Sequence, residues 1–286
     1  MAAASPSLFS PWSLEPLQVV PTAIVAFLYL RRTRTLAQRG RPVPRWRQGV
    51  FWTGIGIVVL ALNSPIDELG EQHFFFVHMT QHVLIGDLAP LCFVVGMTGP
   101  VLQPLLAYPI VQKLRVLTHP LVALPVWAVN LYLWHVPLLY VAALHHNSVH
   151  ALEHFLFFTC GCLMWEPVVE TLPAPAWFGT GAKLGYIAAV RIVETILGNI
   201  FLWSSSPFYS VYNHAPEWGI TPGHDQSLGG VVMMAEGSIV TLVALAWLFL
   251  KLAEESELRQ RLLEQGYDPR QVKRAVRYGR AGDLTL

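Results

Sequence analysis

The chain has 286 residues, of which 53% are hydrophobic and only 13% are charged, and its formal net charge is +1. Its mean hydropathy is +0.45. A soluble domain of this length does not bury so much apolar surface, so the composition excludes an ordinary soluble globular protein. It predicts an integral membrane protein instead.

Seven apolar stretches are long enough to cross a bilayer. In chain order they cover residues 14–30, 46–62, 72–97, 119–144, 149–169, 183–203 and 227–250. Apart from Arg191, the Lys and Arg residues fall in the alternate connections, at their edges and in the tail, so they share one side of the membrane. Cytoplasmic connections carry such an excess. The sequence therefore predicts an all-α bundle of seven transmembrane helices, with its N-terminus outside and its C-terminus in the cytoplasm.

The sequence predicts two parts, a transmembrane domain at 1–250 and a charged helical tail at 251–286. The tail alternates charge at helical spacing, which is typical of a solvated helix. The basic residues are those expected of cytoplasmic flanks, so no nucleic-acid partner is predicted. The three cysteines all lie within spans, and no disulfide framework is expected.

Ionisable residues mark the third span. His78 and His82 are one helical turn apart and share a face, with the thioether of Met79 beside them. Such residues are costly inside a bilayer, and they indicate a functional site. Asp87 lies on the opposite side of the same helix, so a different contact is expected for it.

Further polar residues lie in other spans at overlapping depths. His135 lies in the fourth span; His150, Glu153 and His154 share one face of the fifth; Met233 lies in the seventh. The order HxxEH resembles a zinc-peptidase spacing, but no further ligand glutamate follows at a defined spacing. The sequence therefore predicts no enzymatic activity.

These residues together predict a metal site. Its expected ligands are His78, His82, His135, His150, His154, Met79 and Met233. Imidazole with thioether suits copper, while imidazole also suits zinc or haem iron. Glu153 or Asp225 is expected to orient an imidazole from an outer shell. The alternative is that the histidines only form hydrogen bonds between helices.

A second group of charged residues lies deeper in the last two spans. Arg191 and Glu194 are one turn apart, and Glu236 lies in the seventh span. Because charges inside a membrane usually pair, we expect a structural ion pair among these three. The alternative is a polar path for metal ions or protons.

Four motifs resemble the CtaG-type family of cytochrome c oxidase assembly factors, which are multi-spanning bacterial proteins. The motifs are HMTQHVLIGDLAP, NLYLWHVPLLYVAAL, VHALEHFLFFTCGCLMWEPVV and DQSLGGVVM. The family's polar pattern falls on His78, Gln81, His82, His135, His150 and His154, and its DQ pair on Asp225 and Gln226. Asp87 departs from the pattern, since an apolar residue is expected there.

The resemblance implies a multi-pass protein of the bacterial plasma membrane, in contact with the lipid bilayer and with haem-copper oxidase subunits. It implies a role in making active oxidase by helping copper to reach it. Gln81, Asp225 and Gln226 are expected to support the site from an outer shell. Two other functions remain open from the residues alone, a redox protein that binds haem or quinone, and a metal-ion transporter.

Overall fold

The computed structural model describes Trp12, residues 14–212 and residues 219–283. Throughout these residues the regular structure is helical, without a β-strand. The prediction of an all-α fold is confirmed. The helices are α1 Pro16–Gln38, α2 Arg45–Asn63, α3 Pro65–Gln72, α4 Phe75–Val83, α5 Ala89–Gly96, α6 Gly99–Leu106, α7 Pro109–Leu114, α8 Pro120–Trp134, α9 Pro137–His145, α10 Asn147–Val169, α11 Thr180–Trp203, α12 Pro222–Glu264 and α13 Pro269–Arg277.

Within the described residues, three helical segments are long and apolar enough to cross a membrane. They are Phe75–Gly96, which joins α4 to α5, then α11 and α12. The number rises to five if two bent pairs each count as one span: Arg45–Asn63 with Pro65–Gln72, bent by 47°, and Pro109–Thr118 with Pro120–Trp134, bent by 81°. These helices support a membrane protein.

The fourth predicted span is broken at its centre. α8 ends at Trp134 and α9 begins at Pro137, so His135, predicted within the fourth span, lies in a break between two helices. The cause is Pro137, which has no N–H to donate and disfavours helical geometry at Val136. The backbone of Val136 is accordingly extended, with φ −67° and ψ 128°.

The chain forms two compact units. The first contains the described residues of Met1–Ala174 together with Val193–Glu236, and the second contains those of Pro175–Ile192 and Gly237–Leu286. Helix α12 continues through residue 250 without a break. The domain boundary predicted at that residue stays a prediction. The last residues of the predicted tail, 284–286, lie outside the described chain.

Small residues bring helices of the first unit into close contact. A Cβ on Gly96 of α5 would lie 2.6 Å from the Phe51 Cβ of α2, and one on Gly161 of α10 would lie 2.8 Å from Pro90 Cγ. The stretch opposite Gly161 includes a π-helical turn, Leu84–Leu88, between α4 and α5. Close backbone approach of this kind is how helices associate in lipid. It seats α10 beside the histidines of α4.

The second unit is fixed by polar contacts of its own. The Thr180 hydroxyl donates a hydrogen bond of 2.9 Å to Glu255. The Arg277 guanidinium donates one of 2.9 Å to the Phe178 carbonyl. These contacts attach α13 and the later part of α12 to the start of α11.

Candidate metal centre

Helices α4 and α10 each carry two histidines one turn apart, and the two pairs face each other. The ring centroids of His78 and His82 are 4.2 Å apart, and those of His150 and His154 are 4.0 Å apart. Across the helices, His78 lies 5.7 Å from His150 and His82 lies 5.8 Å from His154. We call His78 with His150 the first layer, and His82 with His154 the second layer.

Glu153 belongs to both layers. Its carboxylate forms one group with the ligand nitrogens of the first layer and another with those of the second, and within each group the atoms lie within 4.8 Å of one another. Its Oε1 is 3.6 Å from the His82 Nε2. The side chain is fully buried. The sequence placed Glu153 in an outer shell, whereas the structure places it among the imidazoles.

Most polar atoms of these layers lack a hydrogen-bond partner among the described residues. Within the described part of the chain, neither ring nitrogen of His82 or His154 makes a hydrogen bond, and neither oxygen of Glu153 does. The Nε2 of His150 is likewise without one. Burial of such groups costs free energy unless a partner compensates, and most buried polar atoms have one. Together these nitrogen and oxygen atoms form a set of possible metal ligands that lie close to one another, as in a metal centre.

Glu71, which sequence reasoning did not single out for the site, holds His150 in position. Its Oε1 lies 2.7 Å from the His150 Nδ1. This contact leaves Nε2 available to a metal, in the manner of the outer-shell carboxylates that orient ligand histidines. Glu71 is only seven residues before His78, but it lies on a separate helix, α3. Helical spacing therefore could not predict its contact with His150.

His135 and Met233 border the second layer. The ring centroid of His135 is 5.7 Å from that of His82. Its Nδ1 contacts the Leu131 carbonyl at 2.7 Å, which leaves Nε2 without a hydrogen bond among the described residues. A cavity of about 50 Å³ is lined by His82, His135 and Met233. The structure places both side chains beside the second layer, and His135 belongs to neither of the two compact groups. Their role as ligands stays a prediction.

Met79 is buried but packs elsewhere. Its Cγ would lie 3.1 Å from a Cβ placed on Gly229 of α12. The thioether is thus part of the contact between α4 and α12. The role of Met79 as a ligand stays a prediction.

Gln81, Asp225 and Gln226 hold the backbone rather than an imidazole. Gln81 Nε2 donates to the Ala61 carbonyl at 3.0 Å and also to the Asp67 carboxylate. Gln226 Oε1 accepts from the Phe208 N–H at 2.7 Å. These side chains therefore position the segments around the two layers. The supporting role from an outer shell that was expected of them stays a prediction.

Asp225 binds the beginning of α4. Its two carboxylate oxygens accept from the N–H groups of Phe75, at 2.8 Å, and Phe76, at 3.0 Å. The first N–H groups of a helix have no partner within that helix, and its dipole favours a negative charge there. The carboxylate of α12 thus fixes the helix that carries His78 and His82.

Three tyrosines, which sequence reasoning missed, close one side of the site. The hydroxyl oxygens of Tyr140 and Tyr212 are 2.7 Å apart, and the Tyr140 and Tyr209 rings are stacked at 3.9 Å. The Tyr209 hydroxyl donates to the His135 carbonyl at 2.8 Å. Tyr140 also lies 5.2 Å from the His78 ring, between centroids. The tyrosines therefore hold the α8–α9 break against the histidine layers.

The deeper charged residues divide between the two units. Arg191, in the second unit, donates a hydrogen bond of 2.7 Å to the Ser238 hydroxyl. Glu194 and Glu236, in the first, line the 50 Å³ cavity together with Asp87. The ion pair expected between Arg191 and a glutamate stays a prediction. Asp87 accepts a hydrogen bond from the Trp165 indole, which is a contact separate from the histidines.

An acidic cavity leads to the first layer. It has a volume of about 200 Å³, and its lining includes Glu15, Asp67, Glu68, Glu71 and His150. Glu15 and Glu68 are exposed, whereas His150 is buried. The cavity therefore connects the surface with the imidazole that Glu71 holds.

Comparison with known proteins bears on the identity of the chain. No curated protein and no solved structure matches it. The family model described as cytochrome c oxidase caa3 assembly factor matches residues 27–255. This range contains both histidine layers, Glu153 and the Asp225 contact with α4. The chain belongs to the cytochrome c oxidase caa3 assembly factor family.

Proposed function

We propose that this membrane protein is a non-catalytic assembly factor that binds copper as cargo and passes it to a haem-copper oxidase subunit. The ion would be bound by the imidazoles of the two layers with Glu153. The observation that supports this is the buried set of imidazole and carboxylate atoms that make no hydrogen bond within the described chain. A bound cation would compensate their burial.

The donor set favours copper. Nitrogen ligands bind Cu²⁺ more tightly than the other divalent first-row metals, and thioethers favour Cu⁺. Met233 supplies a thioether in the cavity beside His82 and His135. Zinc suits a site made of the imidazoles and the carboxylate without a thioether. It is therefore the alternative ion, and the metal analysis below distinguishes it from copper.

The space available favours an ion over haem. Three cavities are lined by histidines of the two layers, and they enclose about 200, 50 and 260 Å³. Pockets for ligands of ordinary drug size begin at roughly 300 Å³. A porphyrin is at least as large as such ligands, and the rings of the two layers leave no comparable gap between them.

The acidic cavity supports a route for the cation. Carboxylates that line a cleft raise the local concentration of cations. Glu68 and Glu71 lie between the surface and His150 in this cavity. In the seven-span topology that we propose, with the N-terminus outside, the cavity opens on the outer face of the bacterial plasma membrane.

Metal analysis of protein purified in mild detergent from copper-replete cells tests the proposal. We expect copper in the parent protein and its loss in a His78→Ala, His82→Ala double variant. A His145→Ala, His146→Ala double variant is the matched control, because it also removes two histidines but they are exposed at the end of α9. It should keep the copper.

Four results would overturn the proposal. Metal-free parent protein would remove the cargo role, and zinc in place of copper would change the ion. A Soret band in the optical spectrum of the parent would assign the protein to the haem proteins. Loss of copper from the control variant as well would show that surface histidines, not the two layers, had bound it.

A further inference from the structure

The two histidine layers are separate ligand sets that share one carboxylate. Each histidine belongs to only one of the compact groups, whereas Glu153 belongs to both. Among the described residues, no single group within 4.8 Å contains all five side chains. A site for one ion would instead place its ligand atoms around a common centre.

Bond lengths limit how many of these side chains one ion can bind. Metal–nitrogen bonds are about 2.0–2.1 Å, so two ligand atoms of one ion lie at most about 4.2 Å apart. The ligand atoms gather in two groups that have only Glu153 in common. One ion in each group is therefore the arrangement that uses all four imidazoles.

We propose that the site holds two metal ions bridged by the Glu153 carboxylate. His78 and His150 bind the first ion, and His82 and His154 bind the second. One carboxylate oxygen faces each ion. This inference rests on the proposed function, because it concerns how many ions the same residues bind.

The charges and neighbours fit two ions that are not equivalent. Two buried cations need compensating negative charge. Glu153 supplies one charge between them, and Glu71 supplies another beside the first ion through His150. The second ion faces the cavity that His135 and Met233 line. The first metal position thus adjoins the acidic cavity, and the second adjoins the side chains of His135 and Met233.

The number of copper ions per chain tests this inference. Protein in detergent is loaded with cupric ion, passed over a chelating resin and analysed for metal. We expect two coppers per chain in the parent and in the His145→Ala, His146→Ala control. One copper would overturn the bridged pair but keep the proposed function, whereas none would overturn the proposed function itself.

A spin count by electron paramagnetic resonance tests the bridge without any variant. Exchange between two Cu²⁺ ions through a shared carboxylate makes the signal smaller than the total copper. Two coppers with a full spin count would overturn the bridge.

Variants then assign the layers. His150→Ala and His154→Ala are each expected to keep one copper, with a full spin count, while circular dichroism shows the helix content of the parent. If both variants keep two coppers, the assignment of the ions to the layers is wrong. Glu153→Gln should reduce the content to one copper or less, and two coppers with an unchanged spin deficit in this variant would also contradict the bridge.

Discussion

At the scale of single residues, Glu153 determines what the histidines can do. It follows His150 by three positions and precedes His154 directly, so on a helix it lies between the two turns that carry them. Its carboxylate therefore reaches both layers from one backbone position. Without it, neither compact group would contain a carboxylate to balance a bound cation.

Glu71→Gln should weaken copper binding by about 10–100-fold, which is the usual effect of removing an outer-shell partner. The substitution replaces with an amide the carboxylate whose Oε1 lies 2.7 Å from the His150 Nδ1 and fixes the ring. Because Glu71 is 30% exposed, the thermal stability of the metal-free protein should change little. A competition titration against a copper chelator measures the dissociation constant.

Glu68→Gln is the matched control for this prediction. It removes the same charge from the same cavity, but Glu68 is exposed and lies apart from the His150 contact. Its dissociation constant should stay near that of the parent. Equal weakening in both variants would mean that the overall charge of the cavity matters and the Glu71–His150 contact does not.

At the scale of helices, the site depends on where α4 begins. Asp225 accepts from the N–H groups of Phe75 and Phe76, so the carboxylate of a distant helix fixes the start of α4. His78 follows within the first turn of this helix, and His82 lies one turn further. A shift at the start of α4 would move both layers relative to α10.

Asp225→Ala is expected to lower both stability and copper affinity. It removes two charge-assisted hydrogen bonds, each worth about 1.5–3 kcal/mol. Thermal unfolding followed by circular dichroism measures the first effect, and the chelator competition measures the second. Asp225→Asn should lose less, because its amide oxygen still accepts one of the two bonds.

The control for this prediction is another helix cap. Asp268 accepts from the N–H groups of Arg270 and Gln271 at 2.9 and 3.0 Å, at the start of α13 in the second unit. Asp268→Ala should lower stability slightly and leave copper affinity unchanged. Unchanged stability and affinity in Asp225→Ala would contradict the view that this carboxylate positions α4.

Helical spacing accounts for the part of the site that the sequence could predict. The one-turn intervals from His78 to His82 and from His150 to His154 depend only on local geometry, and their rings are indeed neighbours. The break before Pro137 was also predictable, since a residue before proline avoids helical geometry. Because of this break, His135 lies on non-helical backbone.

Contacts between distant residues account for the part that the sequence could not predict. Asp225 lies 150 positions from Phe75, and Trp165 lies 78 positions from Asp87. No periodicity relates such pairs, because they depend on how the helices pack. The position of Glu153 between the layers likewise required α4 and α10 to be placed side by side.

At the scale of the molecule, charge is distributed along α2 in a way that bears on orientation. Its first turn carries Arg47, which donates to the carbonyls of Val95 and Met97 at the end of α5. Its last turn leads into the acidic α3, beside the first histidine layer. Since basic ends stay in the cytoplasm, the metal centre should lie in the outer half of the membrane.

Cysteine labelling tests this orientation and the number of spans. In a variant with Cys92, Cys160 and Cys162 replaced by alanine, single cysteines are introduced as Glu68→Cys, Asn147→Cys and Ser256→Cys, all at exposed positions. A membrane-impermeant maleimide should label the first two in intact cells. It should label the third only after the cells are permeabilised, because the seven-span topology places residue 256 in the cytoplasm.

The Asn147→Cys result separates seven spans from three. If only Phe75–Gly96, α11 and α12 cross the membrane, one crossing separates Glu68 from Asn147, and the two cysteines would be labelled from opposite sides. If α8 and α9 also cross together as the fourth span, two crossings separate them and both face outward. Labelling of Ser256→Cys alone in intact cells would invert the topology. The acidic cavity would then open to the cytoplasm, and copper would have to reach His150 from that side.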